Sequence, residues 1–299
     1  MTSLIGVDWG TTNARAFRYD HMGTVIEQRH RRIGLLNIKN REWEAAFREH
    51  FGDWIDGAPT ASVILCGMVG SQQGWSEAPY VACPVNKDDL GANLYRIPNT
   101  EYFIVPGVRS DDSVNVPDVM RGEETQIVGL NLRESQIVCL PGTHSKWVRL
   151  ENGVITAFQT YLTGELFQVL SNHSILSRTL EERQPSESAF LQGLDDSNRA
   201  GGLLHQLFGV RGLRLFGKLS GSAQSDYLSG LLIGNEVRSA LDDLPPIQPI
   251  TLVGSDALVS RYEKALQYLG HPVEVINGEQ AASQGLWQIA IRARLIKSP

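Results

Sequence analysis

One stretch near the start of the chain, Asp8-Trp9-Gly10-Thr11-Thr12-Asn13-Ala14-Arg15, combines an acid, a glycine, two hydroxyls and an amide. The glycine lets a ligand approach the backbone, and successive backbone N–H groups in such a turn bind phosphate oxygens. Asp8 can hold a magnesium ion through the ion's waters. The same residues also suit an ordinary hairpin with an Asx or Ser/Thr turn. A second Gly-Thr turn, Gly142-Thr143-His144-Ser145-Lys146, adds a lysine that reads either as a phosphate ligand or as a solvated strand residue. It lacks the GxxxxGK[ST] spacing of a Walker A loop, and His144 reads as a polar turn residue more readily than as a base. A third stretch, Arg121-Gly122-Glu123-Glu124-Thr125-Gln126, places adjacent acids at the start of a helix. There they either complement the helix dipole or supply a general base for an alcohol proton. A fourth, Gly254-Ser255, lies between a strand and a helix, where it can line a nucleotide base or ribose or simply make the turn.

These residues need elements to hold them. Ser3–Asp8 is a short apolar run closed by an acid, Asn13–Tyr19 alternates, and Thr24–Arg29 follows a tight turn. That pattern predicts a β-meander with no early helix. Glu42–Trp54 predicts an amphipathic helix, and Ser62–Cys66 a buried strand that runs into Gly67-Met68-Val69-Gly70-Ser71. The second half starts over: strands at Gln136–Leu140, Lys146–Leu150 and Val154–Thr160 surround the second Gly-Thr turn. Two unrelated hairpins would give the same impression, but a repeat changes the fold and is weighed first. The last third predicts helices over Ser222–Leu241, Ala257–Leu269 and Glu279–Ile296, with strands at Ile250–Val253 and Val273–Ile276 between them.

The 299 residues carry 27 Lys+Arg against 33 Asp+Glu, a net charge of −6, which argues against a nucleic-acid binder. The length suits about two domains. Their boundary is expected near Asp111–Val119, which gives a first lobe over 1–115 and a second over 116–299. No apolar run approaches the roughly 18 residues of a membrane span. Three scattered cysteines, Cys66, Cys83 and Cys139, form no CxxC pair and read as small hydrophobes rather than zinc ligands or disulfides. The opening residues lack the regions of a signal peptide, so the expectation is a reduced, cytoplasmic, soluble protein. Gly6 and Gly10 make no GxGxxG before a helix, which removes a dinucleotide-binding dehydrogenase.

Taken together, the four stretches resemble the layout of the actin/hexokinase/heat-shock ATPase superfamily. The resemblance implies an α/β fold of two ribonuclease H-like (actin-like ATPase) lobes. Each is a mixed sheet opening with a β-meander, and the nucleotide lies in the interlobe cleft. The chain further resembles the 2-dehydro-3-deoxygalactonokinase family. The residues that carry this likeness are 7–13, Gly67-Met68-Val69-Gly70-Ser71-Gln72-Gln73-Gly74-Trp75, 118–126, 140–146 and Leu162-Thr163-Gly164-Glu165. It implies transfer of the ATP γ-phosphoryl group to the 6-hydroxyl of 2-dehydro-3-deoxy-galactonate, a step of galactonate breakdown.

Within that resemblance Asp8 organises Mg2+. Gly10, Thr11, Thr12 and Asn13 hold the transferring phosphoryl group, Gly142, Thr143 and Lys146 hold the β- and γ-phosphates of ATP, and Gly254 and Ser255 line the adenosine. The related kinases normally place an aspartate where this chain has Glu123, one methylene longer and beside Glu124, and that acid is the base. The Gly67–Trp75 loop, with Gly70, Ser71, Gln73 and Trp75, is the candidate sugar site, with Trp75 as core packing the competing reading. The substrate carboxylate calls for an arginine, and Arg109 and Arg121 both flank the acid. The expected partner is a small-molecule sugar acid, with no nucleic acid and no membrane, and self-association is left open. Two further readings stay in view: a kinase of this fold for another sugar acid or polyol, and a nucleotide-switch protein without an acceptor.

Overall fold

The computed structural model describes residues 2–111, 116–132, 134–242, 249–254 and 256–296. The first part of the chain forms β1 (Leu4–Trp9), β2 (Ala14–Tyr19), β3 (Val25–Arg31), α1 (Trp43–Asp56), β4 (Ser62–Cys66), β5 (Tyr80–Ala82), α2 (Lys87–Ala92), β6 (Tyr95–Arg96), β7 (Tyr102–Ile104), β8 (Gly107–Asp111), β9 (Pro117–Met120) and α3 (Glu123–Gly129). The rest forms β10 (Gln136–Leu140), β11 (Ser145–Glu151), β12 (Val154–Tyr161), α4 (Thr163–His173), α5 (Glu187–Asp196), α6 (Gly202–Leu215), α7 (Gln224–Leu241), β13 (Ile250–Gly254), α8 (Asp256–Tyr268), β14 (Val273–Asn277) and α9 (Gly278–Arg292).

Two large sheets share one strand order. The first runs β3-β2-β1-β4-β7-β6 and the second β12-β11-β10-β13-β14. In each, three consecutive strands lie side by side, and a later strand joins the far edge of the first of the three. β1 pairs antiparallel with β2 and parallel with β4, so the first sheet is mixed. A small third sheet, β5-β8-β9, contains the hairpin that pairs Val108 with Met120 and Asp111 with Pro117. The sequence does not announce this sheet. Its strands have three to five residues, too few for a period of two to register.

Contacts divide the chain into two compact units. One comprises Met1–Val138, Val148–Phe158 and Ile276–Pro299, the other Cys139–Trp147 and Gln159–Val275. A division at 115/116 does not follow these units, because β9 and α3 and the closing helix α9 all belong with β1. The first unit is built on an aromatic cluster. Trp9 meets Trp43 edge-on at 5.4 Å, and Phe47 contacts Trp9, Phe51, Trp75 and Tyr102. Rings of this size each bury roughly 150–250 Å² and fix how α1 lies on the sheet. The second unit is built on α7, whose Tyr227, Leu228, Leu231 and Leu232 pack with Leu176, Val210 and Leu219. Among the described residues no helix is long and apolar enough to cross a membrane.

Candidate active site

The first Gly-Thr turn is held from beneath and open above. The carbonyls of Thr12, Gly10 and Thr11 accept the N–H groups of Gly34, Leu35 and Leu36 at 2.9, 3.1 and 3.1 Å. A Cβ on Gly34 would lie 2.2 Å from the Thr12 carbonyl carbon, so only glycine tucks under the turn. Thr11, Thr12 and Asn13 are exposed. Trp9 anchors the strand end by donating its indole N–H to the Ile33 carbonyl at 2.6 Å. Asp8 lies at the same strand end with its side chain 14% exposed and Arg15 at 3.6 Å. Burial pushes its carboxyl up to about 6, Arg15 pulls it down, and the charges of Glu123 and Glu279 push it up.

Three segments meet at Asp8. Gly67 has φ +90°, and a Cβ there would lie 2.8 Å from the Trp9 carbonyl oxygen and 3.2 Å from Asp8 Oδ1. Gly122, at φ +108°, packs against Gly67, its absent Cβ 3.2 Å from the Gly67 Cα. Both positions demand glycine on conformation as well as on space. Gly122 caps the start of α3, so the helix delivers Glu123 and Glu124 to the Asp8 strand end. Helix α3 is fixed in turn by α9. Cβ atoms on Gly129 and Gly285 would fall 1.8 Å from the Ala281 and Thr125 carbonyl oxygens, so the two helices touch backbone to backbone.

The two glutamates have different surroundings. Glu124 is fully buried, accepts the Gly122 N–H at 2.6 Å and the Thr125 hydroxyl at 3.0 Å, and thereby shapes the turn. Glu123 is half-buried, and its Oε2 accepts the Arg121 N–H at 3.0 Å. Burial, followed by the charge of Glu123, raises the Glu124 carboxyl from 4.5 to about 8. The folded protein therefore holds a proton there that the unfolded chain releases. The associated stability is complete below about pH 4.5 and is lost as pH rises through about 8. Between those limits each pH unit costs the native protein about 1.4 kcal/mol. Glu124→Gln keeps the acceptor for Gly122 and removes the titration. Urea unfolding at pH 5, 6.5 and 8 is expected to show the variant gaining on the native protein as pH rises. Parallel stability curves would mean that Glu124 is ionised in the fold.

The Gly67–Trp75 loop closes over this site on one side. A Cβ on Gly70 would lie 2.9 Å from Arg121 Nη1, so the glycine leaves room for the guanidinium. Arg121 is 8% exposed, donates from Nη2 to the Ala78 carbonyl at 2.8 Å, and stacks on Tyr80 at 4.3 Å. Among the described residues its Nε and Nη1 are buried without a hydrogen-bond partner, and so is the Ser71 hydroxyl. Arg109, the other candidate, is half-exposed and already paired with Asp111 at 3.3 Å. Gln73 is exposed. Trp75, which the sequence offers either as a sugar-stacking ring or as core packing, packs edge-on to Trp9 and Tyr102 and braces the loop from the core.

The second unit holds its Gly-Thr turn in a parallel way. Gly164 nests on it, its absent Cβ 2.4 Å from the Gly142 carbonyl oxygen, and the Thr143 carbonyl accepts the Glu165 N–H at 2.9 Å. Thr143 is exposed, and His144 pairs with Glu165. Lys146, expected as a solvated residue or a phosphate ligand, is buried and donates to the Thr160 hydroxyl at 2.7 Å. Behind the turn, Glu236 accepts the Trp147 indole N–H and the Tyr262 hydroxyl at 2.7 Å each, and Ser145 bonds Tyr262 at 2.8 Å. Burial raises the Glu236 carboxyl. A cavity of about 450 Å³ opens beside Gly142 and Thr143, walled by Phe167, Leu232, Ile233 and Leu258, with Gln168 and Arg261 at its polar side. Gly254 lies near the turn, its absent Cβ 3.9 Å from the Pro141 carbonyl oxygen. Ser255 lies outside the described residues. Thr163 and Gly164 of α4 belong to a stretch singled out in the sequence, but the cavity's α7 and α8 residues carry no local motif, because packing alone brings them there.

The chain resembles known proteins over nearly its whole length. The family model described as 2-keto-3-deoxy-galactonokinase matches residues 8–289. The 2-dehydro-3-deoxygalactonokinase of Escherichia coli (strain K12) is 38% identical over 291 residues, 96% of this chain and 97% of that protein. The crystal structure of a candidate 2-dehydro-3-deoxygalactonokinase from Sinorhizobium meliloti superposes with a TM-score of 0.89 at 32% identity, covering 96% of this chain and 98% of that one. The activator of 2-hydroxyisocaproyl-CoA dehydratase from Clostridium difficile has a TM-score of 0.52 at 12% identity, covering 98% and 96%, a likeness of fold alone.

Proposed function

The chain belongs to the 2-keto-3-deoxy-galactonokinase family, and on that premise we propose that it transfers the γ-phosphoryl group of ATP to the 6-hydroxyl of 2-dehydro-3-deoxy-D-galactonate. The observation that carries the reading is the convergence of Asp8, the Gly67 turn and the Gly122-Glu123 helix start in one unit. Phosphoryl transfer asks a protein for alignment and charge neutralisation more than for covalent help. The exposed side chains of Thr11, Thr12 and Asn13 hold the transferring group. Gly142 and Thr143 hold the adjoining phosphates, and the cavity beside them takes the nucleoside, Gln168 and Arg261 offering polar contacts to its base or ribose. Lys146 acts through Thr160, stiffening the strand that follows the turn. Glu123, half-buried at the helix start, accepts the proton of the sugar hydroxyl as it attacks.

Asp8 fits a magnesium ion. Its carboxyl is desolvated and raised to about 6, so a divalent cation beside it restores the charged form. Magnesium takes one or two carboxylates plus phosphate oxygens, so a single desolvated carboxylate beside a phosphate turn suits it. When bound, the ion neutralises charge on the phosphates. Arg121 orients the substrate by its carboxylate, and Ser71 and Gln73 reach its hydroxyls.

The test is a coupled ADP-release assay with Mg-ATP and, in parallel, the galacto acid, its gluco epimer, glycerol, a hexose and no acceptor. Turnover confined to the galacto acid is expected. Turnover on another acceptor alone would discard the substrate and keep the phosphoryl chemistry.

A further inference from the structure

Helix α6 has two apolar faces where the fold uses only one. Inward, Val210 is fully buried, and Leu203, Leu207 and Leu213 pack on the α7 core. Outward, Leu204, Phe208, Leu215 and Phe216 are 85, 65, 62 and 81% exposed. With roughly 150–200 Å² for each such side chain when fully exposed, the four present about 450–600 Å² of apolar surface. That is the upper end of what a monomer leaves in water, and more than half of the ~800 Å² per partner in a standard interface.

The spacing adds a second observation. Leu204, Phe208, Gly212 and Phe216 recur every four residues and form one ridge along the helix. Gly212 interrupts that ridge in the helix interior, where glycine weakens the helix. Among the described residues nothing lies within 4 Å of the Cβ it lacks, so their packing in one copy does not require the glycine. A notch without an internal occupant suits the close approach of another backbone or ring.

We propose that this face of α6 is a two-fold interface between two copies of the chain. Two antiparallel α6 helices related about a point near residue 210 set Phe208 of each copy into the Gly212 notch of the other. The same symmetry sets Leu204 against Phe216. The face is therefore self-complementary, as a two-fold contact must be. α6 carries no acidic residue, so apolar burial rather than ion pairing drives the association.

Sedimentation velocity on the full chain reads the proposal directly. The native protein at micromolar concentration is expected to run at twice the 33.0 kDa of one copy. Phe208→Glu is expected to run as one copy. Gly212→Gln fills the notch while improving helix propensity, so dimer loss with an unchanged or higher melting temperature separates the interface from folding. A native protein that stays monomeric at 100 µM overturns the proposal. So does a dimer that both variants leave intact.

Discussion

Glu123→Gln is expected to fold as the native protein does and to lose a factor of roughly 10²–10⁴ in kcat, the usual worth of a positioned general base. The amide occupies the same volume and keeps an oxygen to accept the Arg121 N–H that now meets Oε2 at 3.0 Å. What it lacks is the basicity of a carboxylate oxygen, so it does not take the hydroxyl proton. Because the lost contact forms as the proton moves, kcat and kcat/KM for the sugar acid should fall together. Glu123→Asp, which restores the shorter acid normal in related kinases, is expected to recover part of the rate. Steady-state kinetics with both substrates checks this, and a Gln variant within a few-fold of native turnover would remove the role. Glu124→Gln is the companion control. Its carboxyl is fully buried and occupied by Gly122 and Thr125, so its replacement should spare kcat while altering the pH dependence of stability.

Much of this was legible before any coordinates. The strands that carry the two Gly-Thr turns lie within a residue or two of where alternation and turn chemistry place them. The helix beginning at Glu123 follows from Gly122 and the paired acids. Those signals are local, and the local period survives in the fold. The different burial of Glu123 and Glu124 was not legible. Neighbours in sequence differ in burial only because α3 presses on α9 at Gly129 and Gly285, a contact between residues more than 150 positions apart. The cavity beside Gly142 was hidden for the same reason, and the sequence left Trp75 open between sugar stacking and core packing because its partners Trp9, Phe47 and Tyr102 come from three elements. Helix α6 was not legible for another reason. α6 has leucines on both faces, so no single stripe marks it.

The choice between the two arginines leads to the second large effect. A buried guanidinium with two unpartnered nitrogens is costly in a fold, since each unmade hydrogen bond forfeits its desolvation. Stacking on Tyr80 and one bond to Ala78 do not offset that, and Gly70 is held as glycine to make room for the group. A planar carboxylate would satisfy these nitrogens once the loop that carries Gly70 shifts to uncover them. Arg121→Met keeps the aliphatic packing on Tyr80 and removes the charge. Its kcat/KM for the sugar acid is expected to fall by roughly 10²–10⁴, from two charged hydrogen bonds at about 1.5–3 kcal/mol each. KM for ATP should hold, and the melting temperature should stay level or rise, because a buried unpaired charge is gone. Lysine should not rescue the loss, since a point charge cannot meet a carboxylate in two places. Arg109→Met, which only breaks the pair with Asp111, should stay within a few-fold of native. The decisive measurement crosses the variant with a substrate whose carboxylate has become a carboxamide. If Arg121 meets that carboxylate, the two losses overlap and the variant discriminates little between acid and amide. If the losses simply add, Arg121 serves the fold alone, and the carboxylate is read elsewhere.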